Sequence, residues 1–131
     1  MTLTLAALAA ALVLLGLAAF HAALALGAPW GAYAWGGESD GPLPPRQQLG
    51  STLISPFLVA MVLILLVRGG WVYPGLARDM TWPVWVVFLF FITQMFGALR
   101  SASAKERRRM TAVYVLGVVL TATVAFGGVS G

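Results

Sequence analysis

The stretch LTLAALAAALVLLGLAAFHAALAL, Leu3 to Leu26, decides the fold class of this chain. It contains no Asp, Glu, Lys or Arg. As a helix rising about 1.5 Å per residue, it is long enough to cross a hydrocarbon core roughly 30 Å thick. A cleaved signal peptide is the alternative, but the stretch lacks the positively charged start that such peptides carry. We therefore predict that it is a transmembrane helix.

Composition supports a membrane protein. Of the 131 residues, 60% are hydrophobic and only 9% are charged, and the mean hydropathy is +0.92. Such a chain has too little polar surface to cover a soluble globule. It has no Cys, which excludes disulfides, thiolate metal sites and cysteine nucleophiles. We interpret the net charge of +4 as the bias that orients helices in a membrane, and we expect no nucleic-acid partner.

Three further apolar segments have the length of a membrane span. Each would cover roughly 27 Å or more as a helix. The chain is thus predicted to be an all-α, polytopic membrane protein whose single transmembrane domain, 1–131, is one four-helix bundle. The predicted helices cover residues 3–26, 46–67, 82–99 and 104–126.

Local signals mark the helix ends. Thr81 is placed to cap the third helix, and Ser103 and Glu106 have the spacing of a capping box before the fourth. Pro56 lies inside the second segment, where a helix starting at this proline would be too short to span. We therefore predict a kink at Pro56.

Basic residues predict the orientation. The first and third loops carry six Lys or Arg residues, whereas the second loop and its flanks carry two, Arg68 and Arg78. By the positive-inside rule, both termini lie outside and the two basic loops lie in the cytoplasm. The six residues are Arg46, Arg100, Lys105, Arg107, Arg108 and Arg109.

The stretch HAALALGAPWGAYAWGG, residues 21–37, follows the first apolar run directly. Trp30, Tyr33 and Trp35 would arrive at headgroup depth, where aromatic rings commonly anchor membrane proteins. Interfacial anchoring does not explain the density of Gly and Pro, which favours a specific backbone path. A shaped or re-entrant loop that lines a site is therefore the alternative.

The same stretch, together with SAKERRRMTAVYVLGVV, residues 103–119, resembles a group of small four-helix bacterial integral membrane proteins that share a G-A-P-W-G…W-G-G loop. The resemblance covers about half of the chain. It implies a four-helix topology and the bacterial inner membrane. No activity is assigned to that group, so the resemblance transfers no catalytic residue.

Few residues could perform chemistry. The four carboxylates all fall in loops or at a helix start, and we expect them to be exposed; they are Glu38, Asp40, Asp79 and Glu106. No paired acids, zinc-protease motif or phosphate-binding loop is present. We therefore predict no catalytic residue and no metal site. The lack of an acid inside a span also disfavours a proton-coupled carrier.

His21 is the most informative polar residue. It adjoins a stripe of mostly small side chains suited to close helix contact, so we expect it to face the bundle. Gln94 should lie at a similar depth, and we predict that the His21 imidazole bonds its amide. The stripe comprises Ala7, Ala11, Leu14, Ala18, Ala22 and Ala25. The predicted polar layer comprises His21, Ser51, Thr52, Ser55, Gln94 and Tyr114.

Three interpretations of this layer remain open. The polar groups could form structural hydrogen bonds between helices, or they could line a pocket for a small molecule or a lipid headgroup. Haem ligation by His21 is a minor third, because one His without a second is weak support for haem. Otherwise no cofactor is expected.

The run RSASAKERRRM, residues 100–110, lies directly beside a span. As an orientation signal it requires no further function. Its basic side chains should also attract anionic lipid, by about 1 kcal/mol per charge near the surface. We predict that Arg100, Lys105, Arg107, Arg108 and Arg109 form an anionic-lipid site.

These patterns favour a non-enzymatic protein of the bacterial inner membrane that acts by binding. It would serve as an accessory subunit of a membrane complex or as a lipid-facing scaffold, with lipids and other membrane subunits or copies of itself as partners. The alternatives are a small oligomeric channel or transporter, and a membrane enzyme that uses the polar layer around His21.

The orientation can be tested with single cysteines, because the chain has none of its own. With both termini outside, a membrane-impermeant thiol reagent on intact cells should label Ser130→Cys but neither Ser39→Cys nor Ser103→Cys. The reverse labelling pattern would invert the topology.

Overall fold

The computed structural model describes residues 2–130, which form a bundle of four helices joined by three loops. No strand occurs within this range. The prediction of an all-α four-helix bundle is therefore confirmed. The helices are α1, Leu3–Ala25; α2, Pro45–Arg68; α3, Thr81–Leu99; and α4, Thr111–Ser130. Short 3₁₀ segments cover Gly31–Tyr33, Trp35–Gly37 and Pro74–Met80, and a π-helical turn, Glu106–Met110, leads into α4.

All four helical segments are long and apolar enough to cross a membrane. The qualifying stretches are Leu3–Ala25, Pro45–Arg68, Pro74–Leu99 and Glu106–Gly127. Most of their surface carries apolar side chains that face outward, as expected where the solvent is lipid. The chain is therefore a multi-pass membrane protein.

The extent of contact differs between pairs of helices. α1 packs closely on α2, α3 packs on α4, and contacts between α1 and α4 join the two hairpins. α2 and α3 touch far less, which leaves a seam between them. The bundle is thus closed on three sides and loosely packed on the fourth.

Small side chains bring α1 close to its neighbours. Four alanines on one face of α1 are almost completely buried, and a Cβ built on Gly69 would lie 2.8 Å from the methyl group of Ala7. Trp71, just after α2, also contacts the start of α1, because its indole N–H donates to the Thr4 carbonyl at 2.9 Å. Lipid tails supply no hydrophobic force between helices, so this close contact stabilises the bundle by dispersion. The alanines are Ala6, Ala7, Ala10 and Ala11.

Thr81 does not cap α3, contrary to the prediction. The N-cap position is occupied by Met80, and the Thr81 hydroxyl donates to the Arg78 carbonyl at 2.8 Å. The reason is the 3₁₀ segment Pro74–Met80, which runs directly into α3 and supplies that carbonyl. Pro56 lies inside α2, which continues past it as one helix from Pro45 to Arg68, and the kink at this residue stays a prediction.

Gly117 sets the distance between α3 and α4. The ring of the fully buried Phe91 rests against this glycine, and a Cβ at position 117 would collide with its Cγ, Cδ1 and Cε1 atoms. A rigid, buried ring cannot move aside without disturbing its neighbours. The α3–α4 contact therefore requires glycine at this position.

We expect Gly117→Ala to lower the thermal unfolding temperature in detergent, because overpacking a core costs about 1–3 kcal/mol. Gly16→Ala is the matched control, since it lies in α1 with no atom within 4 Å of a built Cβ. It should leave the temperature unchanged or raise it slightly, because alanine favours the helix. Equal effects of the two substitutions would contradict the packing role of Gly117.

Candidate functional site

A partly open cavity of about 240 Å³ lies at the end of the bundle where α1 ends and α4 begins. Side chains from all four helices and from the first loop meet there. Three residues of the predicted polar layer line it, namely His21, Gln94 and Tyr114. The other lining residues are Ala34, Trp35, Gly36, Ile54, Gly97, Ala98 and Glu106. We call this space the polar cavity.

His21 faces the bundle, as predicted, and only 8% of it is exposed. Its partner is not Gln94. The Nδ1 atom of His21 lies 3.1 Å from Oγ of Ser51, and the indole N–H of Trp35 donates to the same Oγ at 3.0 Å. The predicted pairing failed because equal depth fixes only the level of a side chain, whereas its direction depends on which helices touch. α1 packs on α2, so the imidazole meets a residue of α2.

This contact assigns the tautomer of His21. Ser51 is fully buried, so its hydroxyl proton should be used in a hydrogen bond. Trp35 can only donate, so the Ser51 proton goes to Nδ1 of His21. The other ring nitrogen, Nε2, then carries the proton of the neutral imidazole. His21, which lines the polar cavity, thus has an N–H donor on its ring.

The first loop closes the end of the cavity. Trp35, Gly36 and Gly37 adopt φ values of 54°, 75° and 69°, so the chain turns sharply through three left-handed residues. Glycine accepts this conformation freely, whereas for Trp35 it costs about 1–2 kcal/mol. The turn presses the Trp35 ring onto Gly50 of α2. It also brings the Gly36 carbonyl 3.2 Å from the backbone N–H of Ala102, joining the first loop to the third.

The three aromatic residues of this loop have different surroundings. Trp30 is half-exposed and stacks on Phe20, with ring centroids 6.3 Å apart. The Tyr33 ring lies 5.8 Å from Nζ of Lys105, within the range of a cation–π contact. Trp35 lines the polar cavity at the end of the bundle. The shaped-loop interpretation therefore describes Trp35, and the position of Trp30 suits an interfacial anchor.

Glu106 is the residue that sequence reasoning missed. We expected all four carboxylates to be exposed, but Glu106 is only 6% exposed and lines the polar cavity. The Ser101 side chain and the backbone of Gly36 lie beside its carboxylate. The buried Oε1 atom has no hydrogen-bond partner. A residue that lines the cavity thus has an acceptor that is not satisfied by the chain's own donors.

Two local features turn Glu106 inward. Half of the predicted capping box is present, because Oγ of Ser103 accepts from the Glu106 backbone N–H at 3.5 Å. The Ser103 N–H donates to Oγ of Ser101, at 3.1 Å, so the Glu106 side chain is not required as its acceptor. In a regular α-helix, positions 106 and 114 differ by about 80° around the axis. The π turn Glu106–Met110 advances less per residue and brings Glu106 onto the buried face with Tyr114.

Not every residue of the predicted layer faces the cavity. Thr52 is exposed, and its hydroxyl donates to the carbonyl of Gln48, one turn earlier in α2, at 2.9 Å. Ser55 is half-buried and donates in the same way to Ser51, at 2.8 Å. Both hydroxyls satisfy their own helix. The structure therefore places Thr52 outside the layer and gives Ser55 only a local bond.

The basic residues of the third loop surround the cavity end without filling it. All five side chains are exposed, and the Arg107 guanidinium donates to the Ser101 carbonyl at 2.9 Å. Their charges therefore remain available at the surface, as a lipid-binding role requires. They are Arg100, Lys105, Arg107, Arg108 and Arg109.

Two apolar spaces lie next to the polar cavity, along the seam between α2 and α3. A second space of about 420 Å³ shares Ile54 and Gln94 with the polar cavity, and a third of about 570 Å³ shares Ile64 and Val86 with the second. We call these two spaces the lateral groove. From Trp82 to Gln94 it follows α3 for roughly 18 Å. Its remaining lining residues are Phe57, Ala60, Met61, Pro83, Trp85, Leu89 and Phe90.

The search for similar proteins gives no family for the chain: no protein-family model, curated protein or solved structure matches it. The resemblance of the G-A-P-W-G…W-G-G loop thus stays a prediction. Within residues 2–130, no three His, Asp or Glu side chains gather where they could hold a metal ion.

A double-mutant cycle tests the contact between His21 and Ser51. We expect His21→Ala and Ser51→Ala to be coupled by about 0.6–1.7 kcal/mol in thermal unfolding, because they share a hydrogen bond between helices. Ser55→Ala is the matched control, since its hydroxyl bonds only within α2. It should be additive with His21→Ala. Coupling of His21→Ala to Gln94→Leu, and not to Ser51→Ala, would instead support the predicted bond between His21 and Gln94.

Proposed function

We propose that the protein acts by binding a membrane lipid, with the headgroup in the polar cavity and an acyl chain in the lateral groove. In this role it is a non-enzymatic, lipid-facing scaffold or an accessory subunit of a larger membrane complex. The observation that carries the proposal is that the polar cavity and the lateral groove lie side by side and share Ile54 and Gln94 as lining residues. A polar pocket beside an apolar groove has the amphipathic form of a lipid.

The chemistry of the lining supports this occupant. At one end, Glu106 and Tyr114 offer oxygen atoms, and Gln94 offers both a donor and an acceptor. Beyond Gln94 the lining is apolar and ends among the aromatic rings of Trp82 and Trp85. The polar part lies where α4 begins, at the level expected for headgroups. A water-soluble metabolite would leave the groove unused.

We place the polar cavity on the cytoplasmic side of a bacterial inner membrane, with both termini outside. The support is the charge distribution, because the loops beside the cavity carry most of the basic residues. The exposed Arg107, Arg108 and Arg109 would attract anionic lipid to the same end of the bundle. Binding of one lipid inside the protein and of others around it would then occur together.

The outer surface of α2 and α3 suits a protein partner. Leu53 of α2 and Phe96 of α3 are 60% and 49% exposed, and neither lines the polar cavity or the lateral groove. An accessory subunit would bury such side chains against unrelated chains. A small oligomeric channel, the alternative, would bury them against copies of itself, so copurifying chains distinguish the two roles.

The proposal predicts that one lipid stays bound through purification. Native mass spectrometry of the protein released from a mild detergent should show a one-to-one lipid complex. Ala60→Phe should abolish that complex, because the new ring fills the lateral groove. Val59→Phe is the matched control, since Val59 is the neighbouring residue but lines neither space. It should keep the lipid.

Two results would contradict the proposal. One is a parent protein that carries no lipid when it is folded by circular dichroism. The other is equal retention of lipid by Ala60→Phe and Val59→Phe, which would indicate that the lipid binds to the outer surface of the bundle.

A further inference from the structure

We infer that the Glu106 carboxylate binds the primary ammonium of an amine-bearing lipid headgroup. This inference rests on the proposed function and adds the chemistry of the headgroup. It stands on Oε1 of Glu106, a buried atom without a hydrogen-bond partner on a residue that lines the polar cavity. Buried acceptors are normally satisfied, so the missing donor points to a ligand.

The basic residues nearest in sequence do not supply this donor. Arg107 extends from the surface to the Ser101 carbonyl, and Lys105 lies over the Tyr33 ring. Ser101 and Gly36 lie beside the carboxylate, yet Oε1 still has no donor. A buried carboxylate is costly unless it is paired with a positive charge. A ligand cation would supply that charge.

The surrounding groups favour a primary ammonium over a quaternary one. A primary ammonium has three N–H donors, and the cavity offers acceptors on Glu106, Gln94 and Tyr114. A trimethylammonium group has no N–H and would leave Oε1 unsatisfied. The rings of Trp35 and Tyr114 would attract either cation, so they do not separate the two.

The remaining donors match the rest of such a headgroup. In an aminophospholipid, a phosphate lies between the ammonium and the acyl chains. The neutral His21 contributes an Nε2–H, and the Gln94 amide stands where the polar cavity meets the lateral groove. Both can donate to phosphate oxygens. The site thus has an acceptor for the ammonium and donors for the phosphate.

The test is a competition among lipids with identical acyl chains. The full-length protein, stripped of lipid in detergent, is mixed with equimolar phosphatidylethanolamine, phosphatidylcholine and phosphatidylglycerol, and retained lipid is measured by native mass spectrometry. We expect about tenfold preference for phosphatidylethanolamine over phosphatidylglycerol, because hydrogen bonds to charged groups discriminate at least this strongly. Preference over phosphatidylcholine should be several-fold. Equal retention of all three by the parent protein would overturn the inference.

Glu106→Gln keeps the shape of the side chain and removes its charge. It should retain lipid, because the lateral groove is intact, but lose the preference for phosphatidylethanolamine. A persisting preference would overturn the role of Glu106 and leave the proposed function standing. Loss of all lipid by the parent protein would instead reject the proposed function.

Free ethanolamine separates a lipid from a soluble amine. At the same concentration as the lipid it should not displace phosphatidylethanolamine, because it cannot fill the groove. If free ethanolamine binds in a Glu106-dependent manner while phosphatidylethanolamine does not, the lipid assignment is wrong.

Discussion

Close packing without a hydrophobic driving force is the constraint on which this structure depends. Between lipid tails, helices gain little by hiding apolar surface, so they must gain dispersion energy by approaching closely. The alanine face of α1 and the glycine at position 117 of α4 provide that approach. The bulky side chains of α2 and α3 do not, and these two helices therefore remain apart. The lateral groove is the result of this uneven distribution of small residues.

The helices could be predicted from sequence because a single requirement, crossing the bilayer, determines their length and apolar composition. The inward direction of His21 was also predictable, since it continues the stripe that includes Ala18 and Leu14. Its partner was not. A sequence gives the depth of Gln94 and Ser51 but not the direction in which each helix presents them, and that depends on the packing of whole helices.

Glu106 shows a different limit of sequence reasoning. Its spacing from Ser103 is that of a capping box, in which the glutamate would fold back onto the helix start. Here the Ser101 hydroxyl accepts the Ser103 N–H in place of the glutamate. The π turn then rotates the Glu106 side chain into the protein. Neither the competing hydroxyl nor the wider turn has a clear signature in the sequence. A serine two residues before a capping box is a hint worth checking in other chains.

The polar cavity is shared between two hairpins. His21 and Trp35 come from the α1–α2 hairpin, whereas Gln94, Glu106 and Tyr114 come from the α3–α4 hairpin. The complete set of groups exists only when the hairpins are docked. Any molecule that needs groups from both halves must therefore favour the docked state over the separated one, by RT ln(1 + [L]/Kd). Occupancy of the cavity and assembly of the bundle are thus thermodynamically linked, and the ligand serves as a component of the tertiary structure.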